Sequence, residues 1–251
     1  MKVVIPSYEI LTPISENGIE ELKKIERIGR VCYKSEDRIT EDGESAKKFV
    51  QNLVNMDHGA MLEHSQISVM FSVDRGVTHE LVRHRLSSFA QESTRYVKYS
   101  LEKNGGQITV VIPTEFLEEK SSEEDLEFHL SKNYTLDDID NVLLSVTENG
   151  EVNSKQYQEL LWCKSCLQSE KAYIDMINNG ASAQLARSVL PTSLKANLTM
   201  TANYREWRTI FKLRADKAHA HPDMYWIMSR LLKDLKGRIP VIFDDIYPDI
   251  V

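Results

Sequence analysis

Residues 83–96 read RHRLSSFAQESTRY, with three arginines, one histidine and three serines in a chain whose formal net charge is −7. Arginine presents a planar fork that donates bidentately to phosphate or carboxylate, and short hydroxyls beside backbone amides complete an anion cradle. Ser87, Ser88, Gln91, Ser93 and Thr94 supply the short polar groups, and Arg95 closes the segment. The preceding VTHELVRH has a helical pattern, which pairs His79 with Arg83 and Glu80 with His84 on shared faces at i, i+4 spacing. Composition fits a phosphate cradle and a surface helix followed by a polar loop equally well.

A second set lies far along the chain. Asn203, Trp207, Ile210 and Arg214 fall at i, i+4, i+7 and i+11, one stripe of a helix about 16 Å long. The stripe is polar at both ends and apolar in the middle. A plain core helix would not carry Asn and Arg in its buried face, so both ends could touch an extended ligand; structural salt bridges are the alternative. Arg187, just before the stop at Pro191, adds a third cation.

Other chemistries find less support. The histidine pairs His58/His64, His79/His84 and His219/His221 contain no HExxH, and no carboxylate completes a ligand triad, so no metal site is expected. Cys163 and Cys166 form a CxxC inside a helical run with no second pair, which reads as two buried helix cysteines. Neither GxGxxG nor a P-loop occurs, so a dinucleotide would not be held by either turn.

The elements that must position these residues are legible in outline. Residues 15–31 and 44–56 are amphipathic helices, 65–73 alternate strictly as a strand, and 106–113 form a strand stopped by Pro113. Helices follow at 154–179, ended by Asn179-Gly180, then at 181–190, 203–218 and 224–236, with a strand over 194–202. Residues 115–151 are strongly acidic, keep enough spaced apolar residues for helices, and read as a surface excursion. The expectation is an α+β fold, a single domain over 1–251 with a central, mostly antiparallel sheet flanked by helices. No apolar run approaches the roughly 20 residues that cross a bilayer. No signal peptide is evident and the three cysteines are too few for a disulfide framework, so a cytoplasmic protein with no membrane partner is expected. Net acidity argues against nucleic acid as the partner.

The arginine cluster carries a further signal. Arg83-His84-Arg85, seven residues and then Ser93 make RHRx7S, the signature of the flavin-dependent thymidylate synthases (the ThyX family). MLEHSQISVMFSVDRGVTHELVRHR resembles the family's run leading into that signature, and Arg95-Tyr96 follow the serine as they do there. ARSVLP and NYREWRTIFKLRAD resemble two later family segments, in the expected order, so the likeness covers about a third of the chain.

The resemblance implies reductive methylation of dUMP to dTMP, with methylenetetrahydrofolate as carbon donor and FAD, reduced by NADPH, as hydride carrier. It implies that Arg83, His84, Arg85 and Gln91 contact FAD, with Arg83 also near dUMP. Gln91, Glu92, Ser93, Thr94 and Arg95 would wrap the dUMP phosphate and sugar, with Glu80 and Arg187 contributing. Asn203, Arg205 and Thr209 would hold the flavin, and His58 and Glu63 would lie near the flavin and folate entrance. Arg214 would sit against the uracil and, with Ser93, act in catalysis. The family's sites are shared between subunits of a homotetramer. Thr209 stands where the family more often has Asn or His, and Ala60 where it often has Ser or Thr. A repurposed nucleotide-binding relative and an RNA-binding regulator are the other readings; intact Ser93, Arg187 and Arg214 oppose the first, and the acidic balance opposes the second.

Overall fold

The computed structural model describes residues 1–117, 135–148 and 154–250. In chain order its helices are α1 (Ile19–Val31), α2 (Glu44–Asn55), α3 (Arg75–Leu81), α4 (Leu136–Glu148), α5 (Lys155–Asn178), α6 (Ala183–Ala186), α7 (Tyr204–Arg214) and α8 (Pro222–Arg238). Its strands are β1 (Lys2–Val4), β2 (Ser7–Ile10), β3 (Gln66–Asp74), β4 (Ser87–Gln91), β5 (Thr109–Val111) and β6 (Lys195–Asn203). An antiparallel sheet has the order β2-β3-β6-β4, and β1 pairs in parallel with β5 with Val3 opposite Val110. This is the expected α+β class.

The central strands β3 and β6 alternate buried and half-buried residues along nearly their whole length, which is the period-2 pattern the sequence displays. The edge strands β2 and β4 bury no residue fully and have no such pattern, so the sequence reading had a polar loop over 87–91 and no strand before residue 65. Edge strands are short and polar because one side has no partner strand to shelter.

The chain falls into two compact units interleaved in sequence: residues 1–6, 72–79 and 91–198 in one, and 7–71, 80–90 and 199–251 in the other. In the first, Ile108, Val110, Ile112, Tyr173 and Leu194 form an apolar cluster with Cys166. Helix α4, from within the acidic stretch, buries Ile139 and Leu143 against Cys163 and Leu167 of α5 and turns Asp137 and Asp138 outward. Residues 118–134 and 149–153 of that stretch lie outside the described ones.

In the second unit α1 and α2 pack closely because residue 29 has no side chain: a Cβ there would come within 2.5 Å of the Phe49 ring. Glu26, fully buried on α1, is satisfied by Arg30 at 2.7 Å and the Ser45 hydroxyl at 2.8 Å. Helix α7 is anchored by Trp207, whose indole N–H donates to the Ile67 carbonyl at 3.1 Å and whose ring stacks on Phe211 with centroids 5.5 Å apart. The Arg208 guanidinium holds Asp245 with both prongs at 2.6 Å.

Three helix ends fall short of the sequence reading, α6 stopping at Ala186 before a tighter turn over Arg187–Val189. Helix α3 stops at Leu81, and Arg83 and His84 follow in a tighter turn, their amides donating to the carbonyls of Glu80 and Leu81. Helix α7 stops at Arg214, and the Asp216 carboxylate then takes the Ala218 amide at 2.9 Å and the His219 ring at 2.7 Å.

Candidate active site

In the second unit Arg214 ends α7 in a fixed pose. Its Nε–H donates to His84 Nε2 at 3.1 Å, one Nη donates to the Glu80 carboxylate at 2.7 Å, and the other reaches the Glu80 carbonyl at 3.4 Å. Glu80 and His84 therefore converge as expected, although a turn rather than a continuous helix brings them together. His84 is 7% exposed. Burial and, secondarily, the adjacent Arg214 charge push its pKa down to about 4, so the ring is neutral near pH 7 and can accept a hydrogen bond. Arg83 and Arg85 are exposed, and among the described residues neither forms an ion pair.

Of the residues assigned to the flavin, His58, Glu63, Asn203, Arg205 and Thr209 lie toward the first half of α7, whereas His84 lies at its Arg214 end, with Arg83 and Arg85 flanking it in sequence. An open groove of about 320 Å³ is lined by His58, Gly59, Ala60, Arg205, Cys32, Tyr33 and the apolar side chains Leu53 and Met61. Arg205 lies close over Gly59, where a Cβ would stand 3.0 Å from its Nε, and pairs with Glu63 at 2.6 Å. Asn203 caps α7, its side-chain oxygen accepting the Glu206 amide at 2.8 Å. Thr209 is exposed one turn on, its hydroxyl donating to the Arg205 carbonyl at 3.3 Å. The groove thus combines a cationic fork, an imidazole, the Asp57 carboxylate, bare backbone at Gly59 and an apolar wall.

In the first unit Gln91 to Arg95 form a braced turn. Gln91 donates to the Thr78 hydroxyl at 3.0 Å. The Ser93 hydroxyl accepts the Arg95 amide at 3.3 Å, and its carbonyl accepts those of Tyr96 and Val97. Thr94 is buried, while Arg95 is exposed and held by Gln184 of α6 at 3.2 Å; Arg187 follows that helix and is exposed. Glu92 is committed inside the protein: its carboxylate takes the Tyr99 hydroxyl at 2.8 Å and the Asn197 amide at 3.4 Å, with Lys195 at 3.9 Å. Arg75 donates to the Glu92 carbonyl at 3.4 Å. Arg75, Tyr99 and Glu206 are the participants that the sequence reading passed over. Arg75 and Glu206 stand inside quoted family segments without being singled out there; Tyr99 gave no signal, because its role comes from long-range packing.

Cys163 and Cys166 are buried, and burial pushes their thiols up to about 11 and about 12, so neither is a ready nucleophile. Cys32 is exposed in the groove beside His58. Substituting all three by serine is expected to leave turnover within several-fold of the parent, measured on folded, flavin-loaded protein. A variant that binds dUMP yet forms no dTMP would assign a cysteine to the chemistry.

Solved structures first show the fold. ThyX from Helicobacter pylori, crystallised with FAD and dUMP, superposes with a TM-score of 0.65 at 21% identity, covering 96% of this chain and 99% of that one. The UMP/dUMP methylase PolB from Streptomyces cacaoi superposes with a TM-score of 0.67 at 19% identity, covering 97% and 96%. Both show the same fold. The family described as thymidylate synthase complementing protein matches residues 17–241, and the chain belongs to that family. A flavin-dependent thymidylate synthase of Corynebacterium aurimucosum is 30% identical over 237 residues, 93% of this chain and 83% of the relative. One from Mycobacterium tuberculosis is 28% identical over 226 residues, covering 88% and 78%.

Proposed function

We infer that the protein is a flavin-dependent thymidylate synthase that converts dUMP to dTMP, with methylenetetrahydrofolate as carbon donor and NADPH as reductant. The observation that carries this reading is Arg214, an oriented guanidinium braced by a neutral histidine and a carboxylate inside a family whose named relatives perform this reaction. A guanidinium facing uracil stabilises negative charge on N3 and O4 and polarises the ring without a covalent sulfur nucleophile. Glu80 limits the free rotation of Arg214, so less reorganisation is left for the moment of reaction. When bound, FAD supplies the hydride. His58, Arg205, Asn203 and Thr209 are the residues that would hold it, with Arg83 and Arg85 as exposed cations for its phosphates. Gln91, Ser93, Thr94, Arg95 and Arg187 would receive the dUMP phosphate and sugar. Glu92 serves the site indirectly, because its internal bonds brace the turn that presents Ser93.

A homotetramer with shared sites is the assembly the resemblance implies. In the second unit Leu86, next to Arg85, is 77% exposed, an apolar side chain that such an assembly would cover. Among the described residues no helix is long and apolar enough to cross a membrane, and a cytoplasmic location fits.

Titration of the purified protein with FAD is expected to quench flavin fluorescence and raise the melting temperature. Substituting Arg205 by alanine should weaken that binding by about tenfold, as removal of a charge-assisted contact does. An absence of both quenching and thermal shift would contradict the reading.

A further inference from the structure

We propose that Glu206, through His84, is a positioning residue for Arg214: its carboxylate fixes the His84 tautomer that receives the Arg214 Nε–H. This rests on the proposed role of Arg214. Arg214 Nε carries a hydrogen and can only donate, so at 3.1 Å His84 Nε2 must offer its lone pair. A neutral imidazole with a bare Nε2 keeps its proton on Nδ1. Facing that atom, 3.8 Å away, is Glu206 Oε1.

Glu206 is otherwise out of place. It sits in the first turn of α7, 8% exposed, and burial raises its carboxyl pKa. Its backbone amide is taken by Asn203, but among the described residues its carboxylate faces no group other than His84. A first-turn carboxylate is favoured by the positive end of the helix, but burial works against its charge, so its depth calls for a partner. The geometry gives it a reason. Ionised, the carboxylate is acceptor-only: it favours a hydrogen on Nδ1 and offers none to a bare Nδ1. At 3.8 Å the contact is longer than a hydrogen bond, and the carboxylate acts on the Nδ1–H through its charge. The chain Glu206–His84–Arg214–Glu80 thus clamps the guanidinium from two sides, by an imidazole acceptor on Nε and a carboxylate on Nη.

Loss of Glu206 removes one of the two contacts that favour Nδ1–H and leaves the Arg214 donation to hold the tautomer alone, so the Nε2–H form gains population. That form points a donor at a donor and frees the guanidinium to swing. Displacement of a preorganised group by about 1 Å costs on the order of 10²-fold in rate. Partial population of the wrong tautomer should cost correspondingly less.

The test uses the full-length protein with ¹⁵N-labelled histidine, whose protonated and bare ring nitrogens resonate far apart. His84→Gln assigns the His84 signals, spectra are recorded with and without FAD, and kcat for dTMP formation is measured in parallel. The parent should show His84 as the Nδ1–H tautomer. Glu206→Gln, which keeps the shape but can turn either its oxygen or its NH2 toward Nδ1, should fall between the parent and Glu206→Leu in both tautomer and kcat. Glu206→Leu should shift His84 toward Nε2–H and lose about tenfold in kcat with FAD affinity unchanged. An Nε2–H tautomer or an imidazolium in the parent would overturn the proposal, as would a Glu206→Leu protein with parental tautomer and kcat. The parent spectrum needs no variant to fold. If the parent made no dTMP, the proposed function would fall while the tautomer still decided the positioning role.

Discussion

Arg214→Lys is expected to lower thymidylate formation by about 10²-fold while FAD affinity stays within a few-fold of the parent. The substitution keeps the positive charge, so an effect of this size reports geometry. Lysine is a point charge on a flexible stem and cannot donate from Nε to His84 and from Nη to Glu80 at the same time. The charge opposite the pyrimidine would therefore be mobile and more strongly hydrated. The groove lined by Arg205 and His58 does not include Arg214, which is why flavin affinity should be spared. Steady-state kcat and a flavin fluorescence titration on the same preparation check the two halves of the expectation. Near-parental turnover would remove Arg214 from the chemistry.

Trp207→Ala carries the largest expected effect on stability. The side chain is fully buried, stacked on Phe211 and 6.4 Å from Phe71, with its N–H paired to the Ile67 carbonyl. Its removal deletes apolar contacts, opens a cavity and strips a partner from that carbonyl, for a cost of about 3–5 kcal/mol. For a chain of this size that corresponds to a melting temperature lower by roughly 6–20 °C. Trp207→Phe refills much of the space and should lose about 1–2 kcal/mol, mainly the hydrogen bond and a small void. Differential scanning calorimetry of both variants separates packing from hydrogen bonding. A Trp207→Ala protein melting within a degree or two of the parent would contradict the anchoring role.

The parts of this fold that could be read from sequence are those whose burial is one-sided and continuous. Val69, Phe71 and Val73 in β3, and Leu198 and Met200 in β6, are fully buried at every second position, so period 2 announced them. Ser87 to Gln91 alternate only between half-buried and exposed, so neither face of β4 reads as apolar. The site followed the same division. Arg83, His84, Ser93 and Arg214 lie within segments that resemble the family's, and that resemblance picked them out. The Glu206–His84 contact depends on the turn after α3 meeting the first turn of α7, and no periodicity encodes that. The stripe from Asn203 to Arg214 was legible, but Asn203 proves to spend its oxygen capping the helix, a local role that spacing cannot distinguish from ligand binding. Glu92 shows the same ambiguity: it lies within the expected phosphate-binding run, yet its carboxylate is occupied by Tyr99 and the Asn197 amide.

The most direct measurement is product analysis. Purified, FAD-loaded protein is incubated with dUMP, methylenetetrahydrofolate and NADPH, and nucleotides are separated by chromatography at several times. A flavin-dependent thymidylate synthase should form dTMP in amounts exceeding the enzyme, lost when FAD or the folate is omitted and reduced about 10²-fold in Arg214→Lys. Oxidation of NADPH with dUMP recovered unchanged would contradict that function.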